Sequence, residues 1–210
     1  MSFVRDERAA ISTTLDELGP DAPTLCEGWT TADLAAHLVL RERRPDAAGG
    51  IALSFLSGYT GSVQNHLKNG RPYAQLVQFV RQGPPIWSPY RVPGLDRLVN
   101  SVELFVHHED VRRAQPGWEP RELPPESEEA LWQQLKSGAR LFMRKSPVGV
   151  VFRRTAGGEV VAKKATPEAV VTGDTGELIL FAFGRGEHAR VTFEGDADAV
   201  RRLRETRLGM

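Results

Sequence analysis

The spacing of apolar residues changes once along this chain, close to Pro147, and this change restricts the fold more than any other feature. Before it, apolar residues recur at the three-to-four-residue spacing of amphipathic helices. After it, the β-branched runs VGVVFRR, EVVAKK and EAVVTG are short, and Gly157-Gly158 separates the first two at a hairpin position. We therefore predict an α+β protein of two domains, an up-and-down helical bundle over residues 1–145 and a small α+β domain over residues 146–210.

Helical spacing predicts a series of helices in the first domain, over residues 2–18, from Thr30 or Thr31, over 51–68 and 73–82, from Leu95, and over 126–145. The segment LDRLVNSVELFVHHEDVRRA contains neither Gly nor Pro and has the strongest helical pattern. In the helix 126–145 we expect inward-facing side chains, namely Leu131, Leu135, Leu141 and Phe142. Beyond the three strands, the sequence predicts a helix TGELILFAFGR, a strand HARVTFEG and a final helix DADAVRRLRET.

Charge and hydropathy argue against nucleic acids and membranes as partners. Lys plus Arg and Asp plus Glu both total 27, so no broad basic face is expected for a nucleic acid or an anionic membrane surface. No apolar stretch approaches the roughly 20 residues that span a bilayer. The single cysteine, Cys26, cannot form an intrachain disulfide, and the segment MSFVRDERAA lacks the features of an export signal. We expect a cytoplasmic protein with no nucleic-acid or membrane partner.

Glu103 and His107 are four residues apart on the strongest predicted helix, so both side chains point from one face. A third ligand from another helix would complete a site of two histidines and one carboxylate with open positions for water or substrate. His37, within the apolar pattern LAAHLVL, is the natural candidate. The simpler alternatives are a hydrogen-bonded core histidine and an ordinary pair on a helix surface, and spacing alone does not decide between them.

The neighbours of this triad receive lesser roles. The helical step of about 100° turns His108, Glu109 and Asp110 away from His107, so we expect them to be solvated or to support a ligand. Asp110 or Glu109 can hold the second ring nitrogen of a ligand histidine, although a salt bridge to Arg113 is the simpler expectation. Cys26 precedes Gly28-Trp29 and the His37 helix, and we favour a core position for it over a ligand role. His66 and His188 stand alone in the sequence.

LCEGWTTADLAAHL, followed about 60 residues later by VELFVHHED, resembles the metal-binding domain of the mycothiol-dependent maleylpyruvate isomerases, a DinB-like helical bundle of actinobacteria. This resemblance implies a zinc ion held by His37, Glu103 and His107. VTGDTGELILFAFGR is similar to the C-terminal domain of the same family, with a sterol-carrier-like α+β fold and a helix that ends in Gly184-Arg185. The RERRPDAA segment resembles a subgroup of metal-binding relatives, so the substrate itself is not implied.

The resemblance implies a thiol-dependent metalloenzyme of S-transferase or isomerase type. Mycothiol would be the cosubstrate, a small electrophile the second substrate, and Arg185 a catalytic residue that binds a substrate carboxylate; Arg185 can instead pair with its helix terminus. Zn²⁺ is the expected ion, and Ni²⁺, Fe²⁺ and Mn²⁺ also suit these ligands. Two alternatives stay open: a non-catalytic metal-binding or sensory module, closed by Cys26 as fourth ligand, and an apolar ligand in the C-terminal domain. A homodimer is also possible.

Overall fold

The structure is a computed structural model, and it describes residues 3–47, 57–88 and 95–209. Contacts divide the chain into two compact units, Met1–Glu119 and Pro120–Met210. The first unit is helical throughout its described elements, and the second combines helices with a four-stranded sheet. This arrangement confirms the predicted α+β class, with helices in the N-terminal part and the sheet in the C-terminal part.

The first unit consists of helices α1 (Phe3–Leu18), α2 (Thr31–Arg43), α3 (Ser57–Asn69), α4 (Tyr73–Gln82) and α5 (Leu95–Arg112). Helix α1 packs on α4 and α5, while α2 packs on α3 and α4. Their apolar faces meet in one core whose fully buried members include Ile11, Leu15, Leu34, Leu40 and Leu76. The predicted start of the third helix, residues 51–56, lies outside the described residues.

Local signals set the ends of the helices that carry the site. Gly19 ends α1 in the left-handed region, at φ 76°, where a side chain would be strained. Thr30 begins α2 with a capping box in which the Asp33 carboxylate accepts from the Thr30 backbone N–H at 3.1 Å. This reciprocal cap fixes the first turn of α2, and with it the direction in which His37 projects two turns later.

A buried ion pair joins α1 to α2 in the first unit. The Arg8 guanidinium donates to both carboxylate oxygens of Glu42, and its Nη1 also donates to the Val80 carbonyl oxygen at 3.0 Å. Gly83 leaves room for this guanidinium, because a Cβ there would lie 3.2 Å from Arg8 Nε. Hydrogen bonds to charged partners satisfy the buried cation, as a buried charge requires.

The second unit contains α6 (Pro125–Phe142), strands β1 (Gly149–Arg154), β2 (Glu159–Lys163) and β3 (Glu168–Gly173), helix α7 (Thr175–Ala182), strand β4 (Thr192–Gly195) and helix α8 (Ala197–Glu205). The strand order is β2-β1-β3-β4. Strands β1 and β3 are parallel, with Val151 opposite Val170, and the two outer pairings are antiparallel. The predicted strand HARVTFEG is shorter than expected, because Gly186–His188 forms a 3-10 turn ahead of it.

The core of the second unit lies between the sheet and its helices. Every residue of α7 is buried, and Phe152, Val171 and Leu178 are fully buried. Helix α6 contributes Leu131 and Leu135 as predicted. The expectation for Leu141 is wrong: its side chain is 51% exposed. Six helical steps from Leu135 turn it through about 240°, away from the inward face.

The units divide between Glu119 and Pro120, whereas the sequence pattern placed the boundary between residues 145 and 146. Helix α6 accounts for the difference, because it packs on β2 and α7. An amphipathic pattern shows that a helix buries one face but does not show against which neighbour. That the two predicted regions act as separate domains stays a prediction.

None of the described helices is both long enough and apolar enough to cross a lipid bilayer.

Candidate metal centre

Helices α2 and α5 bring the three predicted ligands together. Glu103 Oε1 lies 3.1 Å from His107 Nε2 and 3.6 Å from His37 Nε2. The two imidazole rings are 5.1 Å apart between centroids, nearly edge to face. Glu103 and His107 share a face of α5 one turn apart, as their spacing predicted, and α2 supplies the ligand from the opposite side.

The donor set fits a divalent metal ion. One ligand atom from each of His37, Glu103 and His107 lies within 4.8 Å of the other two, and both histidines are buried. Two imidazoles and one carboxylate with open positions are a familiar set for Zn²⁺ and for other first-row divalent ions. The residues present therefore suit the implied ion.

Charges around Glu103 keep its carboxylate ionised. Burial favours the neutral acid, but the Arg41 guanidinium and the hydrogen bonds with His107 and His37 outweigh it, so the pKa of Glu103 lies well below its usual range. Arg41 Nη1 is 3.2 Å from the same oxygen, Oε1. Burial also lowers the pKa of His37, which is then neutral and able to offer a lone pair.

Asp110 holds the second ring nitrogen of His107. Its Oδ2 lies 3.0 Å from His107 Nδ1, and its side chain is fully buried one turn along α5. Burial alone would lower the pKa of His107, but hydrogen bonds with Asp110, Cys26 and Glu103 raise it well above its usual range. Asp110 thus holds Nδ1, and Nε2 faces Glu103 and His37; an incoming ion would displace the proton on Nε2.

Cys26 contacts the Asp110 carboxylate as well as the core. The thiol donates to Asp110 Oδ2 at 3.2 Å, and the residue is half-buried against the bundle core. Cys26, His107 and Asp110 form a second set whose ligand atoms lie within 4.8 Å of one another. The two sets share His107, so the sulfur of Cys26 lies beside the triad of His37, Glu103 and His107.

The other acidic neighbours on α5 are paired away from the triad. Glu109 accepts from Arg113 Nε at 2.6 Å, as the simpler expectation held, and also from Arg112 at 2.9 Å. His108 is buried, so a solvated position for it is wrong. Its ring nitrogens contact Glu7 Oε1 at 2.7 Å and Thr14 Oγ1 at 3.0 Å, and these contacts join α5 to α1.

The remaining histidines and Arg185 lie elsewhere. His66 is exposed near the end of α3, and His188 closes the 3-10 turn of the second unit. The Trp29 ring packs against His37 with centroids 5.1 Å apart, which covers one face of that ligand. Arg185 follows α7, and its Nη1 donates to the Phe183 carbonyl oxygen at 2.6 Å, as expected for an arginine at a helix terminus. Its catalytic role stays a prediction.

Sequence reasoning gave Arg41 no role in the site. The signal was available: Arg41 is four residues after His37, so both project from one face of α2. Asp110, three residues after His107, carried the corresponding signal on α5 and received only a secondary role. Both are buried beside the triad.

Comparisons with known proteins found one matching family and matching solved structures. Residues 4–52 match the family model of the mycothiol maleylpyruvate isomerase N-terminal domain. A crystal structure of the mycothiol-dependent maleylpyruvate isomerase matches with a TM-score of 0.60 and 17% identity, over 93% of this chain and 92% of that chain. A structure of a histidine-to-alanine mutant of the isomerase matches with a TM-score of 0.54, also at 17% identity and the same coverage. No curated protein sequence matches this chain.

At 17% identity the structural matches establish a common fold. The family model adds a match in sequence over α1, α2 and the loop between them, the region that supplies His37. These findings confirm the resemblance inferred from LCEGWTTADLAAHL and the later VELFVHHED. The chain thus matches the mycothiol maleylpyruvate isomerase N-terminal domain family over residues 4–52 and shares its fold with the isomerase itself.

Proposed function

We propose that this protein binds one divalent metal ion through His37, Glu103 and His107 and acts as a thiol-dependent enzyme of isomerase or S-transferase type. The observation that carries the proposal is the buried triad, whose three ligand atoms lie within 4.8 Å of one another. Its substrates would be a small thiol such as mycothiol and a small electrophile. The matching isomerase structures support the thiol, because mycothiol dependence is the activity those proteins are described by.

Zinc is the ion we propose, by analogy with the family and from the donor set. Two imidazoles and a carboxylate also accept Fe²⁺, Ni²⁺ or Mn²⁺, and the ion loaded in a cell depends on supply as well as affinity. When bound, a divalent ion lowers the pKa of a coordinated thiol and so supplies a thiolate at neutral pH.

The chain's own residues prepare the site for that chemistry. Asp110 fixes the tautomer of His107, and Trp29 packs on His37, so both imidazoles are oriented before any ligand arrives. Arg41 and the two imidazoles together favour the ionised form of Glu103. The described site residues need not supply a nucleophile, because the thiol cosubstrate fills that role. A cytoplasmic location, where small thiols stay reduced, fits the proposal.

A second candidate function is a non-catalytic metal-binding or sensory module. Cys26 favours it, because its sulfur lies in a set of possible ligands that includes His107. A site closed by a cysteine sulfur is typical of structural zinc, whereas a catalytic site keeps one position for substrate. Cys26→Ser separates the two: an enzyme with an open site keeps its metal, while a closed structural site loses affinity.

Metal content is the first test. We expect about one equivalent of metal in protein purified without added metal, and loss of most of it in His37→Ala and Glu103→Ala, because each removes one of three ligands. His66→Ala and Glu17→Ala are matched controls at exposed positions of the same unit and should keep the ion. Unchanged metal in His37→Ala and Glu103→Ala would exclude the triad as the binding site.

Thiol binding is the second test. Calorimetry with mycothiol, or with a simpler thiol, should show binding to the metal-loaded protein that disappears after chelation. Metal bound by the triad without metal-dependent thiol binding would contradict the enzyme and favour the structural or sensory module. Binding together with turnover of an electrophile in a mycothiol-coupled assay would support the enzyme.

A further inference from the structure

Arg41 is a buried cation placed beside a site for another cation. It follows His37 by one turn of α2, its side chain is 9% exposed, and its Nη1 lies 3.2 Å from Glu103 Oε1. The same oxygen is within 3.6 Å of His37 Nε2 and 3.1 Å of His107 Nε2. One carboxylate oxygen therefore faces the guanidinium and both imidazoles.

A bound ion and Arg41 would compete for the same carboxylate. Glu103 Oε1 lies 3.2 Å from Arg41 Nη1, and Glu103 also belongs to the triad that would hold the ion. Glu109 is committed to Arg112 and Arg113, and Glu7 to His108, so these carboxylates serve other partners. Among the described residues, Arg41 would then share the Glu103 carboxylate with the ion, and a buried cation whose pairing is weakened is costly.

Arg41 also has the right shape to bind a second anion. A guanidinium presents five N–H donors in a rigid fork that matches the two oxygens of a carboxylate. Its ion pair with Glu103 is made through one terminal nitrogen, Nη1. The planar fork can thus contact Glu103 and a second oxyanion at once.

We propose that Arg41 is the residue that binds an anionic group of the substrate, a carboxylate or a similar oxyanion, next to the bound metal ion. This inference rests on the proposed function and makes it more specific, because it selects small anionic ligands over neutral and cationic ones of equal size. It places charge recognition inside the bundle, on the same face of the same helix as a metal ligand.

A coupling between metal and anion follows. Arg41 repels the incoming ion, and an anion that pairs with Arg41 relieves that repulsion, so each ligand raises the affinity for the other. Without Arg41 the ion should bind at least as tightly in the absence of an anion, and an anion should no longer improve it. A residue that merely stabilises the fold would instead weaken metal binding when removed.

The first experiment compares three thiols of similar size on the zinc-loaded protein by calorimetry: mercaptoacetate, 2-mercaptoethanol and cysteamine. We expect the ratio of mercaptoacetate to 2-mercaptoethanol affinity to fall about tenfold in Arg41→Gln, the size of one charged hydrogen bond. Comparing ratios cancels the intrinsic zinc affinities of the thiols. Arg41→Lys should keep part of the preference. Arg44→Gln is the matched control, since Arg44 is more exposed and pairs with Asp46.

A second experiment does not depend on thiols. Zinc affinity is measured with and without acetate. Acetate should raise the zinc affinity of the unaltered protein, and this increase should vanish in Arg41→Gln. An unchanged thiol ratio together with an unchanged acetate effect in a folded Arg41→Gln would overturn the inference, and so would loss of zinc in that variant. If no thiol binds in a zinc-dependent way, the proposed function fails, and the acetate measurement still decides the role of Arg41.

Discussion

The two units bury different kinds of side chain. Among the described residues of the second unit, the core is almost entirely apolar, and Glu177 is its one buried charged side chain. The first unit buries a dense set of ionisable groups in its described part, namely Glu7, Arg8, Asp33, His37, Arg41, Glu42, His107, His108, Glu109, Asp110 and Arg113. Apolar burial stabilises a fold directly, whereas buried charges need partners merely to be tolerated.

Pairing explains how the helical unit tolerates these buried ionisable side chains. Arg8 pairs with Glu42, Arg113 with Glu109, and His108 with Glu7. Each of these three pairs places a buried charge beside a group of opposite charge or a hydrogen-bonding partner. The described part of the first unit thus combines apolar packing with paired buried charges, whereas the described part of the second unit has an ordinary hydrophobic core.

The largest expected effect breaks one buried pair. Arg8→Met should lower the free energy of unfolding by about 3–5 kcal/mol, because it leaves the Glu42 carboxylate buried without its cation. Urea denaturation measures it. Replacing both residues, as Arg8→Met with Glu42→Leu, should restore most of the loss. A double variant as unstable as the single one would mean that the pair itself is a major source of stability.

A deletion in the apolar core of the second unit comes next. Leu178→Ala should lower the free energy of unfolding by about 2–5 kcal/mol, since Leu178 is fully buried and its truncation leaves a cavity. Calorimetric melting gives the stability, and elemental analysis should show an unchanged metal content. Loss of metal from the folded variant would show that the two kinds of core are not independent.

A smaller effect is expected at Asp110, which is hydrogen-bonded to the proposed metal ligand His107. Asp110→Asn should reduce zinc affinity by about 10–100-fold, because it weakens the hydrogen bond that orients His107. Competition with a chromophoric chelator measures the affinity. Asp46→Asn, at an exposed carboxylate, is the control. If both variants bind zinc like the unaltered protein, Asp110 does not orient the ligand.

The smallest effect concerns the start of α2. Partial burial works against the charge of Asp33, but the Lys68 ammonium and the Thr30 hydrogen bonds outweigh it and lower the pKa of Asp33. A lowered pKa means that the ionised form stabilises the folded protein above about pH 4, and that this contribution disappears as the pH falls through the lowered value. Asp33→Ala should therefore lower stability by about 0.5–2 kcal/mol at pH 7.

The same variant should differ less from the unaltered protein near pH 3, where part of the carboxylate is protonated in both folded and unfolded chains. Urea titrations at the two pH values measure the difference, with Glu17→Ala as an exposed control. An equal loss at both pH values would assign the effect to packing and not to the charge.

The triad could be predicted from sequence because its geometry is largely local. Glu103 and His107 are one helical turn apart, and a family motif supplied His37. The contacts that support it are not local: Cys26 reaches Asp110 across 84 residues, and Glu7 reaches His108 across 101. No periodicity encodes such pairs, since they depend on how helices pack.

The architecture shows the same division. Spacing identified the helices and the strands, and the change of pattern near Pro147 marked where the sheet begins. It did not show that α6 packs with the sheet, because an apolar stripe fits any complementary face. The prediction for Leu141 was wrong for a more local reason. An average helical spacing does not take into account the angle at which this residue projects from its helix.

More than sixty residues separate His37 from Glu103 along the chain. An unfolded chain would have to close that loop before both side chains could hold one ion, and the entropy of closure makes such binding weak. A ligand that binds only the folded form stabilises it by mass action, by about 1.4 kcal/mol for each tenfold excess over its dissociation constant. For this bundle, the thermal stability would therefore rise with the free concentration of the ion, because folding and ion binding would be one coupled equilibrium.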